Sequence, residues 1–312
     1  MRKNLWTLGK VAVTIALVYW LIDRVNWEVV GVKLAEVSLP LLFLYVIFQL
    51  SGNLISAKKW QIIAQYKGLG LTLKESFFTY MTGAFINNFL PSTIGGDTYR
   101  GLWLARRSGA RAAALSTVVF DRFIGLWTTA LLALILSFTL WDYLLESTPL
   151  LITLLALFGF LLVDLVITYL YCRPWFRAFV AGLSFQKVRR LMEEIIFYTK
   201  KDIWLRTSMW SGLFIFVGLG LSNFTLFHAL GSNVAFLPFL AVILLVVVVA
   251  SVPLSINNIG IKEWAYVVFF GLIGVSMETA VTAALLSRFI QMILSFIAIP
   301  QYLREEEIKK VP

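Results

Sequence analysis

The sequence predicts an all-α integral membrane protein with about six full transmembrane spans and two broken helical elements, each a re-entrant hairpin or a pair of short, tilted helices. Three observations carry that prediction. Of the 312 residues, 60% are hydrophobic and only 14% charged, with a mean hydropathy of +0.84, against ~45–50% and ~25% in soluble domains. The apolar residues collect in runs close to the ~20 that cross a bilayer core as a helix. Two of those runs are cut by proline, glycine and charge, which a membrane interior tolerates only where protein or a water-filled cavity surrounds the break.

Taken in order, the first span is Leu5–Ile22. Arg2, Lys3 and Lys10 precede its apolar run in the manner of a signal peptide. Asp23-Arg24-Val25-Asn26-Trp27 offers no small-residue cleavage pattern, so an uncleaved span is expected. Val37–Ala57 follows, then Ser76–Arg107, interrupted at Pro91–Asp97 with arms short for a full crossing. Ala112–Leu140 and Leu150–Tyr171 are spans. Between them and the next, residues 183–200 place Phe185, Val188, Leu191, Met192, Ile195 and Ile196 at helical spacing, with Lys187, Arg189, Arg190, Glu193 and Glu194 opposite. That pattern predicts a helix lying in the membrane interface. Ile203–Leu230 spans, Phe236–Gly271 is interrupted at Pro253–Gly260, and Thr279–Leu303 closes the set. Trp6, Trp20, Trp27, Trp60, Trp141 and Trp204 fall at span ends, as an interfacial aromatic belt requires.

Charge placement orients these elements. Lys and Arg collect in cytoplasmic loops. With the N-terminus inside, only Arg24 and Lys33 of the 27 basic residues lie in a loop that must face outward. Both termini then come out cytoplasmic if each interrupted stretch enters and leaves on one side. The first half, 1–145, reads span, span, hairpin, span. The second, 146–312, repeats that order in the opposite orientation, an inverted-topology repeat within one membrane domain. The formal charge of +10 therefore points to anionic lipid and topology, not nucleic acid.

The two breaks carry the candidate chemistry. In the first, Pro91 ends a helix, Gly95 and Gly96 let the chain turn, and Asp97 or Thr98 is expected to cap a helix beginning near Tyr99. Arg100, one turn on, neutralises Asp97 or takes a phosphate itself. In the second, Pro253, Asn257 and Gly260 open the backbone, and Lys262 and Glu263 begin the next helix. Glu263 suits a helix N-terminus and Lys262 does not, so Lys262 is expected to face a polar cavity, a carboxylate or a substrate. Asp121 and Arg122 follow soon after the cytoplasmic end of their span, where snorkelling toward the interface would also account for them. Arg288 lies about nine residues into its own, near the midplane at ~1.5 Å per residue, with Glu263 or Asp97 as its expected acid. Asp164 is a further intramembrane acid. One cysteine, Cys172, and one histidine, His228, leave neither a disulfide nor a cysteine- or histidine-rich metal site. No P-loop or nucleophile elbow is present, and no cofactor is expected. Ion pairs that merely hold the bundle would use the same residues.

The stretch Leu90-Pro91-Ser92-Thr93-Ile94-Gly95-Gly96-Asp97-Thr98-Tyr99-Arg100, then Arg107-Ser108-Gly109, then Val119-Phe120-Asp121-Arg122-Phe123-Ile124-Gly125-Leu126, resembles the flippase-like family, also called the lysylphosphatidylglycerol synthase transmembrane region. Pro253-Leu254-Ser255-Ile256-Asn257-Asn258-Ile259-Gly260-Ile261-Lys262-Glu263 is similar to its second hallmark. The resemblance implies an integral protein of a bacterial or archaeal cytoplasmic membrane, a relative of the membrane part of a bifunctional enzyme that moves aminoacylated phosphatidylglycerol between leaflets. The family's tRNA-dependent transferase region has no counterpart in these residues, so a transporter-like role is implied over an enzyme. Its lipid is expected to be a phospholipid or a polyprenyl-linked lipid, and a homo-oligomer stays open. A membrane-embedded accessory subunit, or an enzyme acting on lipid-linked substrates, is the alternative.

Overall fold

The computed structural model describes residues 2–90, 94–143, 146–171, 173, 197–199, 201–252, 254–300 and 303, with the backbone alone at 2–8, 94, 167, 168, 171, 199 and 201. Pro91, Pro253, Cys172 and nearly all of the expected interfacial helix (183–200) lie outside the described residues. Those residues contain helix and no strand. Five helices are long and apolar enough to cross a membrane: Leu39–Tyr66, Arg111–Tyr143, Thr148–Val166, Asp202–Ala229 and Met277–Ala298. The sixth expected span, Leu5–Ile22, falls within α1 (Arg2–Arg24), a continuous helix that is not one of those five.

A short helix α2 (Trp27–Ala35) follows, started by Asn26, whose side chain accepts from the amides of Glu28 and Val29. It tucks Val30 against Val281 and Leu21, a feature with no clear sequence signal. Helix α3 (Leu39–Tyr66) begins with proline in its first turn, where the missing N–H costs nothing. Helix α4 (Leu73–Phe89) opens on a capping box between Thr72 and Glu75. Helix α5 (Ile94–Ser108) runs back along α4. Arg107 at its end pairs with Glu75 at the start of α4, and Gly96 near its start abuts Gly83, where an added Cβ would sit 2.1 Å from the Gly83 carbonyl oxygen. The two helices therefore form an antiparallel hairpin whose tip is the break.

Helix α6 (Arg111–Leu136) continues into a 3-10 turn over Ser137–Tyr143, and α7 (Thr148–Tyr171) follows. Ile152, Leu155, Phe158, Leu162 and Leu165 of α7 are exposed, an apolar face suited to hydrocarbon. Helix α8 (Lys201–Phe214) and α9 (Ser222–Ala229) are joined through a π segment, Ile215–Leu221, into one span.

The second hairpin is α10 (Phe236–Ser251) and α11 (Ile261–Leu272), with a 3-10 turn at Ile256–Asn258 between them. Phe239 near the start of α10 packs on Phe270 near the end of α11, so this pair is also antiparallel. Every residue from Phe239 to Val246 is buried, which places the middle of α10 inside protein on all sides. Helix α12 (Met277–Ser295), capped by Ser276, completes the core around it.

Candidate functional site

At 1.5 Å per residue the hairpin helices, of 17, 15, 16 and 12 residues, measure about 18–26 Å, shorter than a ~30 Å hydrocarbon core. Their tips meet. The Asn257 side-chain amide donates to the Asn87 carbonyl at 3.4 Å, and the Asn87 side chain accepts from the Gly96 amide at 2.7 Å. On either side of this junction sits a cluster of charged residues.

The first cluster joins α3, α5 and α6. Asp97 receives Arg122 through Nε at 2.6 Å and Nη2 at 3.0 Å, a bidentate pair. It also receives Arg100 Nη2 at 2.8 Å. Arg100 donates to Asp121 Oδ2 at 3.3 and 3.2 Å through its two terminal nitrogens. Its guanidinium lies over the rings of Tyr80 and Trp60, 4.6 and 5.1 Å from their centroids. Lys59 Nζ sits 3.1 Å from Asp121 Oδ1 and donates to the Asp121 carbonyl. Arg100, Asp121 and Lys59 are buried, whereas the Arg122 side chain is 57% exposed.

Asp97 does not cap the helix, as the sequence suggested. Helix α5 starts earlier, at Ile94, and Asp97 stands in its first turn. The Asn87 side chain supplies the acceptor for the Gly96 amide, so the glycine pair enters the helix instead of breaking it. Gly95 packs on Leu90, where an added Cβ would sit 2.1 Å from Cδ1.

The second cluster joins α11, α12 and the break between α10 and α11. Arg288 donates to Glu263 Oε1 from Nε at 3.3 Å and Nη2 at 2.9 Å, to the Asn257 carbonyl at 3.1 Å and to the Asn258 carbonyl at 3.3 Å. The other Glu263 oxygen accepts from the Gly260 amide at 2.7 Å. Asn257, Asn258 and Gly260 all have positive φ, at 49°, 58° and 85°. That is the left-handed turn that Asn and Gly accept most readily. An added Cβ on Gly260 would also sit 2.6 Å from Cβ of Leu17 in α1, and Thr14 of α1 accepts from the Ile256 amide. Lys262 donates to Ser287 at 3.0 Å and has no carboxylate within ion-pair distance among the described residues.

The structure thus brings Asp97, Arg100, Asp121 and Arg122 together at one tip, and Asn257, Gly260, Lys262, Glu263 and Arg288 at the other. Asp164 is elsewhere, accepting from the Trp127 indole at 3.0 Å, and His228 contacts the Phe224 carbonyl. Lys59, Asn87, Tyr80 and Ser287 join the clusters without a sequence signal that singled them out. Trp60 corrects the aromatic-belt assignment: it is fully buried, donating to Thr117 at 3.1 Å beneath Arg100. Each cluster holds one more cation than carboxylate. Among the described residues, no three His, Cys, Asp or Glu side chains gather in an arrangement that could hold a metal.

Two short hairpins meeting tip to tip inside an apolar helical bundle, each beside buried ion pairs, define a polytopic helical membrane protein with polar groups gathered at its breaks. The chain belongs to the lysylphosphatidylglycerol synthase TM region family, which it matches over residues 7–299. It is also similar to the UPF0104 membrane protein MJ1595 of Methanocaldococcus jannaschii, 23% identical over 292 aligned residues, with 85% of each chain covered.

Proposed function

We propose that this protein moves a lipid with an anionic or aminoacylated phosphate headgroup, a phospholipid or a polyprenyl-linked lipid, between membrane leaflets through an inverted repeat. The observation that carries this reading is Arg122. It is the twelfth residue of α6, about 17 Å along the helix at 1.5 Å per residue, yet its side chain is 57% exposed. A cation at the centre of a span costs about 2.5–3.5 kcal/mol on insertion scales, so one this far along an apolar helix is expected to face water, a carboxylate or an anionic substrate. Asp97 uses part of the guanidinium, and the open remainder suits a phosphate. Lys262 and Arg288 stand in the same relation to the second tip. In this reading Arg122, Lys262 and Arg288 touch the headgroup, while Arg100, Asp121 and Lys59 form the buried frame behind it.

The register of the elements supports the repeat. The span and hairpin of the first half begin at Leu39 and Leu73, and those of the second at Lys201 and Phe236, shifts of 162 and 163 residues. Positive-inside counting puts the two hairpin mouths on opposite faces with the termini cytoplasmic. The family supports the substrate class.

Leaflet exchange of fluorescent phosphatidylglycerol in proteoliposomes tests this. Arg122→Gln and Lys262→Met each remove a charge-assisted hydrogen bond worth about 1.5–3 kcal/mol, so exchange should fall roughly tenfold or more while the protein stays monodisperse. Equal exchange by wild type, both variants and empty liposomes would overturn the proposal. Wild-type inactivity with a stoichiometric co-purifying enzyme would instead mark an accessory subunit.

A further inference from the structure

Two ion pairs in this chain have the same construction. Asp97 and Arg122 are 25 residues apart, and so are Glu263 and Arg288. Each acid stands in the first turn of the helix that leaves a hairpin tip. Each arginine is the twelfth residue of the span that follows, counted from Arg111 in α6 and Met277 in α12.

The rest of each cluster is not repeated. The residue before Arg122 is Asp121, locked by Lys59 and Arg100. The residue before Arg288 is Ser287, which accepts only from Lys262 among the described contacts to its side chain's charged neighbours. A packing device would have no reason to preserve only the outermost pair of two otherwise different clusters. What the two pairs share is position: each ties the start of a hairpin's second helix to the adjoining span, at the tip.

Both pairs are also reachable. The arginine side chains are 57% and 31% exposed, against 17% and 3% for their acids. Each guanidinium can therefore exchange a carboxylate for a phosphate of like geometry without first being dug out of the core. The two are further connected through Asn87. Arg288 holds the Asn257 carbonyl, the Asn257 amide holds the Asn87 carbonyl, and the Asn87 side chain holds the Gly96 amide, next in the chain to Asp97.

We infer that Asp97–Arg122 and Glu263–Arg288 are one latch used twice, each closing the path at its hairpin tip toward one face of the membrane, with Asn87 and Asn257 tying the two. This rests on the proposed inverted arrangement and lipid path, and it adds the residues that open and close that path. Because α6 and α12 enter from opposite faces in that arrangement, the latches open to opposite sides. An arriving phosphate takes the arginine from its acid and releases that tip.

The test needs no lipid substrate. In a Cys172→Ser background, Leu90→Cys reports on the first tip and Ile259→Cys on the second; both positions are partly exposed apolar side chains. A membrane-impermeant maleimide is added to right-side-out or inside-out vesicles. Neutralising a whole pair removes one charge of each sign and leaves the net charge of the cluster unchanged, and Arg100 keeps Asp121 as its acid. Asp97→Asn with Arg122→Gln should raise labelling at Leu90→Cys several-fold from one face only. Glu263→Gln with Arg288→Gln should raise it at Ile259→Cys from the opposite face only. Asn257→Gly keeps the left-handed backbone and removes only the tie, so both reporters should rise, each from its own face.

Unchanged labelling in all three variants overturns the inference, as does a rise at both tips from the same face. A rise at both tips from both faces in either neutralised pair shows general loosening and also overturns it. Should labelling behave as stated while no leaflet exchange occurs in proteoliposomes, the latches stand and the lipid-transport reading falls.

Discussion

Arg288 shows how one side chain sets local structure in this protein. Its guanidinium serves Glu263 and two carbonyls of a left-handed turn, so it holds the acid and the tip together. The buried Glu263, 3% exposed, has its other oxygen committed to Gly260. Arg288→Leu strands that carboxylate and should cost about 3–5 kcal/mol of stability, the loss on breaking a buried pair. Arg288→Lys keeps the charge but cannot span carboxylate and carbonyls with a planar fork. It should cost less, about 1–3 kcal/mol for carbonyls left without donors. Denaturant unfolding in detergent micelles measures both, and equal losses for the two substitutions would contradict the fork argument. Arg288 and Glu263 were legible because charge in an apolar helix is conspicuous. Lys59 was not: beside Lys58 at the end of an apolar run it reads as a topology signal, and only the packing of α6, 62 residues on, places it against Asp121. Trp60 misled for the same reason, since a tryptophan near a span end resembles a belt residue until Arg100 is laid over its ring.

Among the elements, the first hairpin is clasped at both ends. Gly83 and Gly96 allow the backbones to touch near the tip, and Glu75 with Arg107 closes the mouth. Sequence marked the break through its proline and glycines but placed the new helix start near Tyr99, since Gly-Gly weakens a helix locally. Close packing on Gly83 and the Asn87 acceptor outweigh that preference, and no local pattern reports them. The mouth yields a pH prediction. Burial opposes ionisation of Glu75, but hydrogen bonds from the Thr72 hydroxyl and amide, together with Arg107, outweigh it and hold the carboxyl below its ordinary value. A depressed folded-state value adds stability above the unfolded value and loses it as pH falls through the folded one. Wild type should therefore exceed Glu75→Gln in unfolding free energy near neutrality, by less than about 1 kcal/mol because the pair is part-exposed. The gap should close below about pH 4. Thermal unfolding of the two proteins across that range decides it, and a gap independent of pH would remove Glu75 ionisation from the account.

For the whole molecule, the question is whether two halves of one chain sit in opposite orientations. In the proposed inverted arrangement α3 corresponds to the α8–α9 pair, and these two cross where Gly52 meets Gly218, an added Cβ on Gly52 lying 2.6 Å from the Gly218 Cα. A two-fold axis through the bundle centre would produce such a contact, and would also bring the hairpin tips together as Asn87 and Asn257 are. Sequence could suggest this arrangement from charge counting and two similar breaks. It could not supply the contacts, because they join residues up to 170 positions apart. The arrangement fixes which loops share a face. In a Cys172→Ser background, Lys74→Cys and Ser108→Cys, at the mouth of the first hairpin, should both label from the cytoplasmic side. Asp142→Cys and Asn233→Cys, the latter at the mouth of the second hairpin, should label only from outside. Antiparallel packing within α4 and α5 already requires Lys74 and Ser108 to emerge together, so a split between those two would mean that the hairpin rearranges in the membrane. If Asn233 instead labels with Lys74, both hairpins enter from one face, the tips cannot be related by an in-plane axis, and the two latches would open toward the same leaflet.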